Sequence, residues 1–295
     1  MILQLKRFYL KIPVFFFLLF VLWNVFGVTR SFAEGWKEEK GEHFIVYYVC
    51  DNDFVKNVLD KAEEYYGRIA SELGYSRASE FWTWDNRVKI YIYSDHEAFV
   101  RSGGHPAWSH GLADYAKKAI FSYVLSRDFL DSILPHEMTH LIFRDFVGFK
   151  GEVPLWLDEG VAQWEQAKKR DLIRAIIKKL FANDTLLSIS DMMRLDIRKV
   201  NQMDKVFIRS IMTKKGERAN LAISGEALVN TYYVQSASLV GFLIEKYGSL
   251  DFAQFCRQLR DGKSLAEALA SVYPTQMRNV DEFELRWKEY LASSS

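Results

Sequence analysis

The sequence lacks several features that mark specialised classes of protein. Its 295 residues contain no low-complexity run and no internal repeat, and hydrophobic residues make up 49% and charged residues 26% of the chain. This composition is typical of a globular protein and argues against disorder over most of the length. A chain of this size can form one large domain or two lobes that each bury a core.

The chain also lacks an excess of basic charge. Its formal net charge is +1. The first 33 residues contain four basic residues and no acid, so a chain without them carries a formal charge of −3. We therefore expect no nucleic-acid partner.

Cysteine is scarce, since only Cys50 and Cys256 are present. In an oxidising compartment the two could form a disulfide. Their wide separation in the sequence is equally consistent with two separate buried thiols. The sequence leaves both arrangements open.

The first 33 residues differ from the rest of the chain. Three basic residues precede an apolar stretch over residues 12–28, and Ser31, Phe32 and Ala33 follow. This order predicts a secretory signal cleaved after Ala33. The alternative is an uncleaved membrane anchor through residues 12–28, because about 17 apolar residues can just span a bilayer. Both interpretations predict an exported protein, either periplasmic or extracellular.

The remaining chain divides into a mixed first part and a helical second part. Alternating or continuous apolar residues predict three strands and one helix in the first part; the strands are at 43–48, 88–93 and 119–124 and the helix at 54–73. This order is typical of an α+β domain. From Arg127 onward we expect helices throughout, with a lobe boundary near residue 168.

The segment Leu134–Ile142 reads LPHEMTHLI and contains an HExxH motif. On a helix, His136 and His140 project from nearly the same angle one turn apart, so both rings can reach one ion. Glu137 then lies where it can take a proton from metal-bound water. A lone motif of this kind also occurs in helices whose histidines only form hydrogen bonds. Because Pro135 lacks an N–H, we expect the helix to start just before it, capped by Asp131, or to kink there.

A second motif, WLDEGVAQW, begins at Trp156 and supplies a third ligand. Eighteen residues separate His140 from Glu159. Two histidines and one glutamate are a known ligand set for a catalytic zinc, which keeps its fourth position open. Glycines at 148 and 151 allow the chain to reverse between the two motifs, so that Glu159 faces the two histidines.

HEMTH followed at this spacing by WLDEGVA resembles the gluzincin zinc peptidases of the peptidase MA clan. The resemblance is to the catalytic core of aminopeptidase-N-type enzymes and to small bacterial peptidase-MA-like proteins. It implies an α+β, zincin-like (thermolysin-like) fold, with a small mixed sheet and the metal-binding helices in residues 34–168. A helical lobe, residues 169–295, would complete the active-site cleft.

The resemblance also implies a chemistry. One zinc ion per chain would be held by His136, His140 and Glu159, with Glu137 as the general base that activates water against a peptide or protein substrate. The segment YVQSA places Tyr233 where the family has a tyrosine that stabilises the oxyanion, with Tyr232 as the adjacent rival.

The sequence departs from the family at two places. Nothing upstream of HEMTH matches the block that binds a free amine in the aminopeptidases, so the choice between endo- and exopeptidase stays open. Gln163 occupies the position where thermolysin-like relatives use an acid to orient a histidine. Two other functions also remain open, a non-catalytic zincin-fold scaffold and a zinc hydrolase of a non-peptide bond.

A cluster of basic residues follows the second motif. Three of them, Lys168, Lys169 and Arg170, are consecutive, and others follow at helical spacing. We interpret the cluster as a solvated helix face. His105 and His110 lie in the turn-rich segment between Ser102 and Gly111, where related enzymes line the substrate cleft with an edge strand to which a peptide could add. We interpret the two histidines themselves as exposed turn residues.

Overall fold

The computed structural model describes residues 35–50, 52–75, 82–103, 109–124, 126, 128–148, 153–200, 206–212 and 218–293. The described residues from 38 to 293 form one compact unit. The predicted signal or anchor in residues 1–33 lies outside the described residues. The predicted lobe boundary near residue 168 stays a prediction.

Five strands form a mixed sheet in the order β1-β2-β3-β5-β4. The central strands β2, β3 and β5 are parallel, whereas β4 runs antiparallel to β5 at the edge. The strands are β1 Lys37–Lys40, β2 Phe44–Tyr48, β3 Val88–Tyr93, β4 Gly111–Asp114 and β5 Ala119–Tyr123. The three predicted strands are therefore confirmed, and the two that the sequence did not predict are short and poor in β-branched residues.

Helices pack on this sheet and fill most of the later chain. The longer ones are α1 Asn52–Glu72, α3 Leu134–Val147, α4 Leu155–Trp164, α5 Arg170–Ala182, α8 Gly225–Tyr247, α9 Ser249–Arg260, α10 Leu265–Val272 and α11 Val280–Ser293. The shorter ones are α2 His96–Arg101, α6 Ile189–Arg194 and α7 Ile197–Val200. The predicted helix at 54–73 is confirmed as α1.

The expectation of an all-helical second half is wrong. Strands β6 Val206–Met212 and β7 Arg218–Ser224 form an antiparallel hairpin, with Val206 opposite Ser224. The segment VFIRSIM is rich in β-branched and aromatic residues, which favour extended backbone over helix. The two strands pair with each other in a separate two-stranded sheet.

Helix α8 crosses the centre of the protein. Among the described residues it is the one helix that is long and apolar enough to span a membrane, and 67% of its most apolar window is buried inside the protein. Such burial is typical of the core helix of a folded domain. Its contact with α4 is close, because a Cβ added at Gly160 would lie 2.6 Å from the backbone oxygen of Ser236.

The two cysteines are not joined by a disulfide. Cys50 is partly buried against the core, and Cys256 is completely buried on α9. Burial raises the pKa of the Cys256 thiol to about 12. Of the two arrangements that the sequence left open, the structure has two separate thiols.

Candidate metal centre

The helix that carries HEMTH begins in an unusual way. A π-helical turn, Phe129–Ile133, runs directly into α3, and Pro135 lies in the first turn of α3. In a regular helix the ring of Pro135 would collide with the carbonyl of Asp131, four residues earlier, so a wider turn relieves the clash. The predicted cap is wrong, because the Asp131 carboxylate instead pairs with Lys168 at 2.6 Å.

The two motifs bring three side chains to one point. Ligand atoms of His136, His140 and Glu159 all lie within 4.8 Å of one another. The two Nε2 atoms are 3.2 Å apart, and the Glu159 Oε2 atom is 3.9 Å from the first and 3.7 Å from the second. Two ligands placed tetrahedrally around zinc are about 3.3 Å apart. These three residues could therefore hold one metal ion with little adjustment.

His140 is oriented by the residue that precedes the third ligand. Its Nδ1 is 2.9 Å from Oδ1 of the buried Asp158, and the other carboxylate oxygen accepts a hydrogen bond from Arg144 at 2.7 Å. A proton on Nδ1 leaves Nε2 free to bind metal. The motif WLDEG therefore contributes both a ligand and the carboxylate that fixes another ligand.

His136 is oriented by Gln166. Its Nδ1 is 2.9 Å from the amide nitrogen of Gln166, and the amide oxygen accepts a hydrogen bond from Ser132 at 2.6 Å. A metal on Nε2 requires a proton on Nδ1. Rotating the amides of Gln166 and Gln163 together by 180° presents the Gln166 oxygen to that proton and keeps a hydrogen bond between the two amides.

Gln163, the residue at the family's orienting position, acts one step further away. Its Oε1 accepts a hydrogen bond from Gln166 at 2.9 Å. Its spacing from Glu159 predicts Gln163 as the residue that orients a histidine, and no sequence pattern predicts Gln166 for this role. The sharp turn after α4 brings Gln166 beside the ring, and it is the residue that touches His136.

Without an ion, the two rings differ in protonation. Burial lowers the pKa of His136 to about 3, and the neighbouring His140 adds to the effect. Burial also disfavours a charged His140, but the hydrogen bond and charge of Asp158 outweigh burial and raise its pKa to about 9. His136 is therefore neutral and ready to bind metal, whereas His140 must release a proton to do so.

Glu137 lies against the edge of the sheet. Its Oε2 accepts a hydrogen bond from the backbone N–H of Ala113, in strand β4, at 2.9 Å. Burial raises the pKa of Glu137 to about 7. One carboxylate oxygen is thus held by the edge strand, which fixes the direction of the other.

The tyrosine predicted as oxyanion donor is on α8. Tyr233 is partly buried and packs against the core, and its catalytic role stays a prediction. Its rival Tyr232 is completely buried and directs its hydroxyl to the backbone oxygen of Met192, at 3.5 Å, which does not suit it for binding substrate. Tyr115, which sequence reasoning did not single out, lies 6.4 Å from the His140 ring, edge to face. The guanidinium of Arg144 lies 3.9 Å from the centre of the Tyr115 ring.

A cleft of about 260 Å³ opens beside the centre. It is lined by residues from three parts of the chain: the end of the π-helical turn with the start of α3 (Ser132, Ile133, His136 and Glu137), the start of β4 with the residues before it (Ser109, His110 and Gly111), and the end of α4 with the residues after it (Gln163, Gln166 and Lys169). His110 bonds to the Tyr123 hydroxyl through Nδ1. His105, the other histidine of the turn-rich segment before β4, lies outside the described residues.

Comparison with known proteins agrees with the geometry. Residues 82–293 match the model of the family described as the Peptidase MA superfamily, a span that includes His136, Glu137, His140 and Glu159. A search of curated proteins finds no match. Because the matched span covers more than half of the chain, the protein belongs to the Peptidase MA superfamily, a superfamily of peptidases.

Proposed function

We propose that this protein is an exported zinc-dependent peptidase with a zincin-like fold. His136, His140 and Glu159 hold the metal, and Glu137 is the general base. The observation that carries the proposal is the convergence of two imidazole nitrogens and one carboxylate oxygen within 4.8 Å. This donor set is one that catalytic zinc sites use.

The surroundings of these three residues fit a bound cation. His140 is backed by a carboxylate and His136 by an amide, and such partners fix the orientation of metal-binding rings. Two of the three side chains are neutral when they bind, so the single negative charge of Glu159 leaves a bound divalent ion electrophilic. Bound there, zinc would polarise the peptide carbonyl and lower the pKa of a water molecule.

The chain's own groups would then move the proton. The Glu137 oxygen that is not held by Ala113 accepts a proton from the attacking water while the water oxygen bonds to the carbonyl carbon. Glu137 next delivers this proton to the amine nitrogen as the C–N bond breaks. The hydrogen bond from Ala113 keeps the carboxylate in place through both steps.

The deciding experiment combines metal analysis with peptide hydrolysis. We expect one zinc per purified chain, lost in Glu159→Ala. Glu137→Gln should keep the zinc and lower hydrolysis by roughly 10²–10⁴-fold, the contribution of a positioned general base. Glu97→Gln, at a glutamate side chain with 79% exposure, is the matched control and should behave as wild type.

Other outcomes would select the remaining candidates. Zinc binding without cleavage of any peptide in a broad library would favour a scaffold, and hydrolysis confined to non-peptide bonds would favour a different hydrolase. Equal activity of wild type and Glu137→Gln would contradict the mechanism. Export is tested by recovering the protein outside the cytoplasm with Glu34 as its first residue, or with residues 12–28 retained in the membrane.

A further inference from the structure

Three consecutive basic residues follow helix α4, and they point in different directions. Lys168 and Lys169 end a one-turn 3-10 helix, Ala167–Lys169, and Arg170 begins α5. A 3-10 helix turns by about 120° per residue, so consecutive side chains diverge. The three residues therefore do not share one helix face, although Lys168 and Lys169 are exposed to solvent, as the sequence predicts.

Two of the three are used in ion pairs. Lys168 binds the Asp131 carboxylate at 2.6 Å, and Arg170 binds Glu72 and lies 3.5 Å from Glu165. Lys169 forms no ion pair with any residue in the described part of the chain. Its side chain instead lines the cleft that holds His136 and Glu137.

The position of Lys169 is fixed relative to the metal centre. Its backbone N–H donates to the carbonyl of Gln166 at 2.8 Å. The side chain of the same Gln166 lies 2.9 Å from the His136 ring, and Gln166 is only 3% exposed. Gln166 therefore contacts both the backbone of Lys169 and the ring of His136, which fixes the point from which the exposed Lys169 side chain extends.

The charges of the cleft leave Lys169 uncompensated. The negative charge of Asp128 acts on the Lys169 ammonium group, but no ion pair joins the two in the described part of the chain. Burial lowers the pKa of the ammonium group. Lys169 lines the same cleft as His136 and Glu137. An anion in this cleft beside Lys169 would be attracted by the ammonium group.

We infer that Lys169 forms a carboxylate-binding subsite, which makes this protein selective for peptides that place a carboxylate next to the scissile bond. The inference rests on the proposed peptidase function. The carboxylate comes from an aspartate or glutamate side chain or from the C-terminus of a short substrate. The other cleft residues near it, Ser132, Gln163 and Gln166, are neutral, so Lys169 is the group that sets the charge preference.

The first test measures hydrolysis of matched peptides. Pairs of blocked peptides differ only in glutamate against glutamine at one position, scanned across the scissile bond, and a second pair differs only in a free or amidated C-terminus. We expect wild type to favour the carboxylate by about tenfold or more in kcat/KM at one position, as a charged hydrogen bond provides. Lys169→Gln should abolish the preference, and Lys169→Glu should reverse it towards glutamine.

Lys168→Gln is the matched control, since it removes the neighbouring charge that points out of the cleft towards Asp131. It should keep the preference of wild type. If only the pair with free and amidated termini responds to Lys169, the carboxylate is that of the C-terminus. An unchanged preference in Lys169→Gln, or a preference lost equally in Lys168→Gln, would overturn the subsite.

A second test does not need catalysis. The same peptides are titrated by calorimetry into zinc-loaded Glu137→Gln with and without Lys169→Gln. We expect tighter binding of the carboxylate peptide by about tenfold, lost with Lys169. Selective binding without hydrolysis by wild type would contradict the peptidase function but support the subsite. Hydrolysis without charge selectivity would support the peptidase function but contradict the subsite. If the peptides are neither bound nor hydrolysed, both proposals are rejected.

Discussion

The Nδ1 atom of His140 lies 2.9 Å from Oδ1 of Asp158, the residue immediately before the third ligand. The same carboxylate accepts a hydrogen bond from Arg144, one helical turn after His140. One short segment therefore supplies the ligand Glu159 and holds a second ligand in its binding orientation.

Asp158→Asn should weaken zinc binding by roughly 10–100-fold, because the charge that supports the His140 ring is lost while its shape is kept. The affinity is measured by competition with a chromophoric chelator. Asp171→Asn, at an aspartate side chain with 95% exposure on α5, is the control and should bind zinc as wild type does. Unchanged affinity in Asp158→Asn would show that Asp158 has no supporting role.

Gln166→Ala should weaken zinc binding by roughly tenfold or more, because the Nδ1 atom of His136 loses its side-chain partner. Gln163→Ala should have a smaller effect, since Gln163 touches Gln166 rather than the ring. Chelator competition on both variants checks the order. A larger loss in Gln163→Ala would restore the assignment that the sequence suggested.

Gly160→Ala should destabilise the fold by about 1–3 kcal/mol, because the added methyl group would overlap the backbone of Ser236. Gly67→Ala is the matched control in helix α1, where an added Cβ meets nothing within 4 Å. This control should be stabilised by up to about 1 kcal/mol through helix propensity. Urea unfolding of both variants measures the difference, and equal stabilities would contradict the close contact.

Removal of the metal should lower the midpoint of thermal unfolding, since zinc binds the folded arrangement of His136, His140 and Glu159. The midpoint is followed by circular dichroism with and without a chelator, at several zinc concentrations. Glu159→Ala should show a much smaller dependence on zinc. A wild-type midpoint that ignores zinc would argue against a metal site at these residues.

The acid side of the stability profile should depend on Glu267. Its carboxylate accepts hydrogen bonds from Ser264 at the start of α10, and these bonds hold its pKa below the usual 4.5. A lowered pKa means that the stabilisation is present above about pH 4.5 and is lost as the pH falls through the folded-state pKa. Glu267→Gln should thus be less stable than wild type at neutral pH, with a gap that closes in acid. Thermal unfolding over a pH series tests this.

The sequence predicts those parts of the fold and of the candidate site that depend on the periodicity or spacing of neighbouring residues. Alternation of apolar residues identified β2, and helical spacing identified α1 and α3. The HExxH spacing and the position of Glu159 identified three side chains that the structure brings together, because residues four apart on a helix share one face.

The remaining parts depend on contacts between distant segments. Strand β4 has only four residues and is defined by its pairing with β5. Helical patterns on both sides of the β6–β7 hairpin led to the incorrect prediction of helix for the hairpin itself. The positions of Gln166 and Lys169 depend on a tight turn after α4, and no periodic pattern in the sequence predicts this turn.

Gly160 stands next to Glu159 in the middle of α4 and lets α4 approach α8 at Ser236, and Gly241 on α8 gives the same room to the Trp164 ring at the C-terminal end of α4. Contact at two points restrains α4 from sliding along α8 or rotating about its own axis. We therefore expect that enlarging one of the small residues of α8 would displace Glu159 and change metal affinity without any change to a candidate ligand.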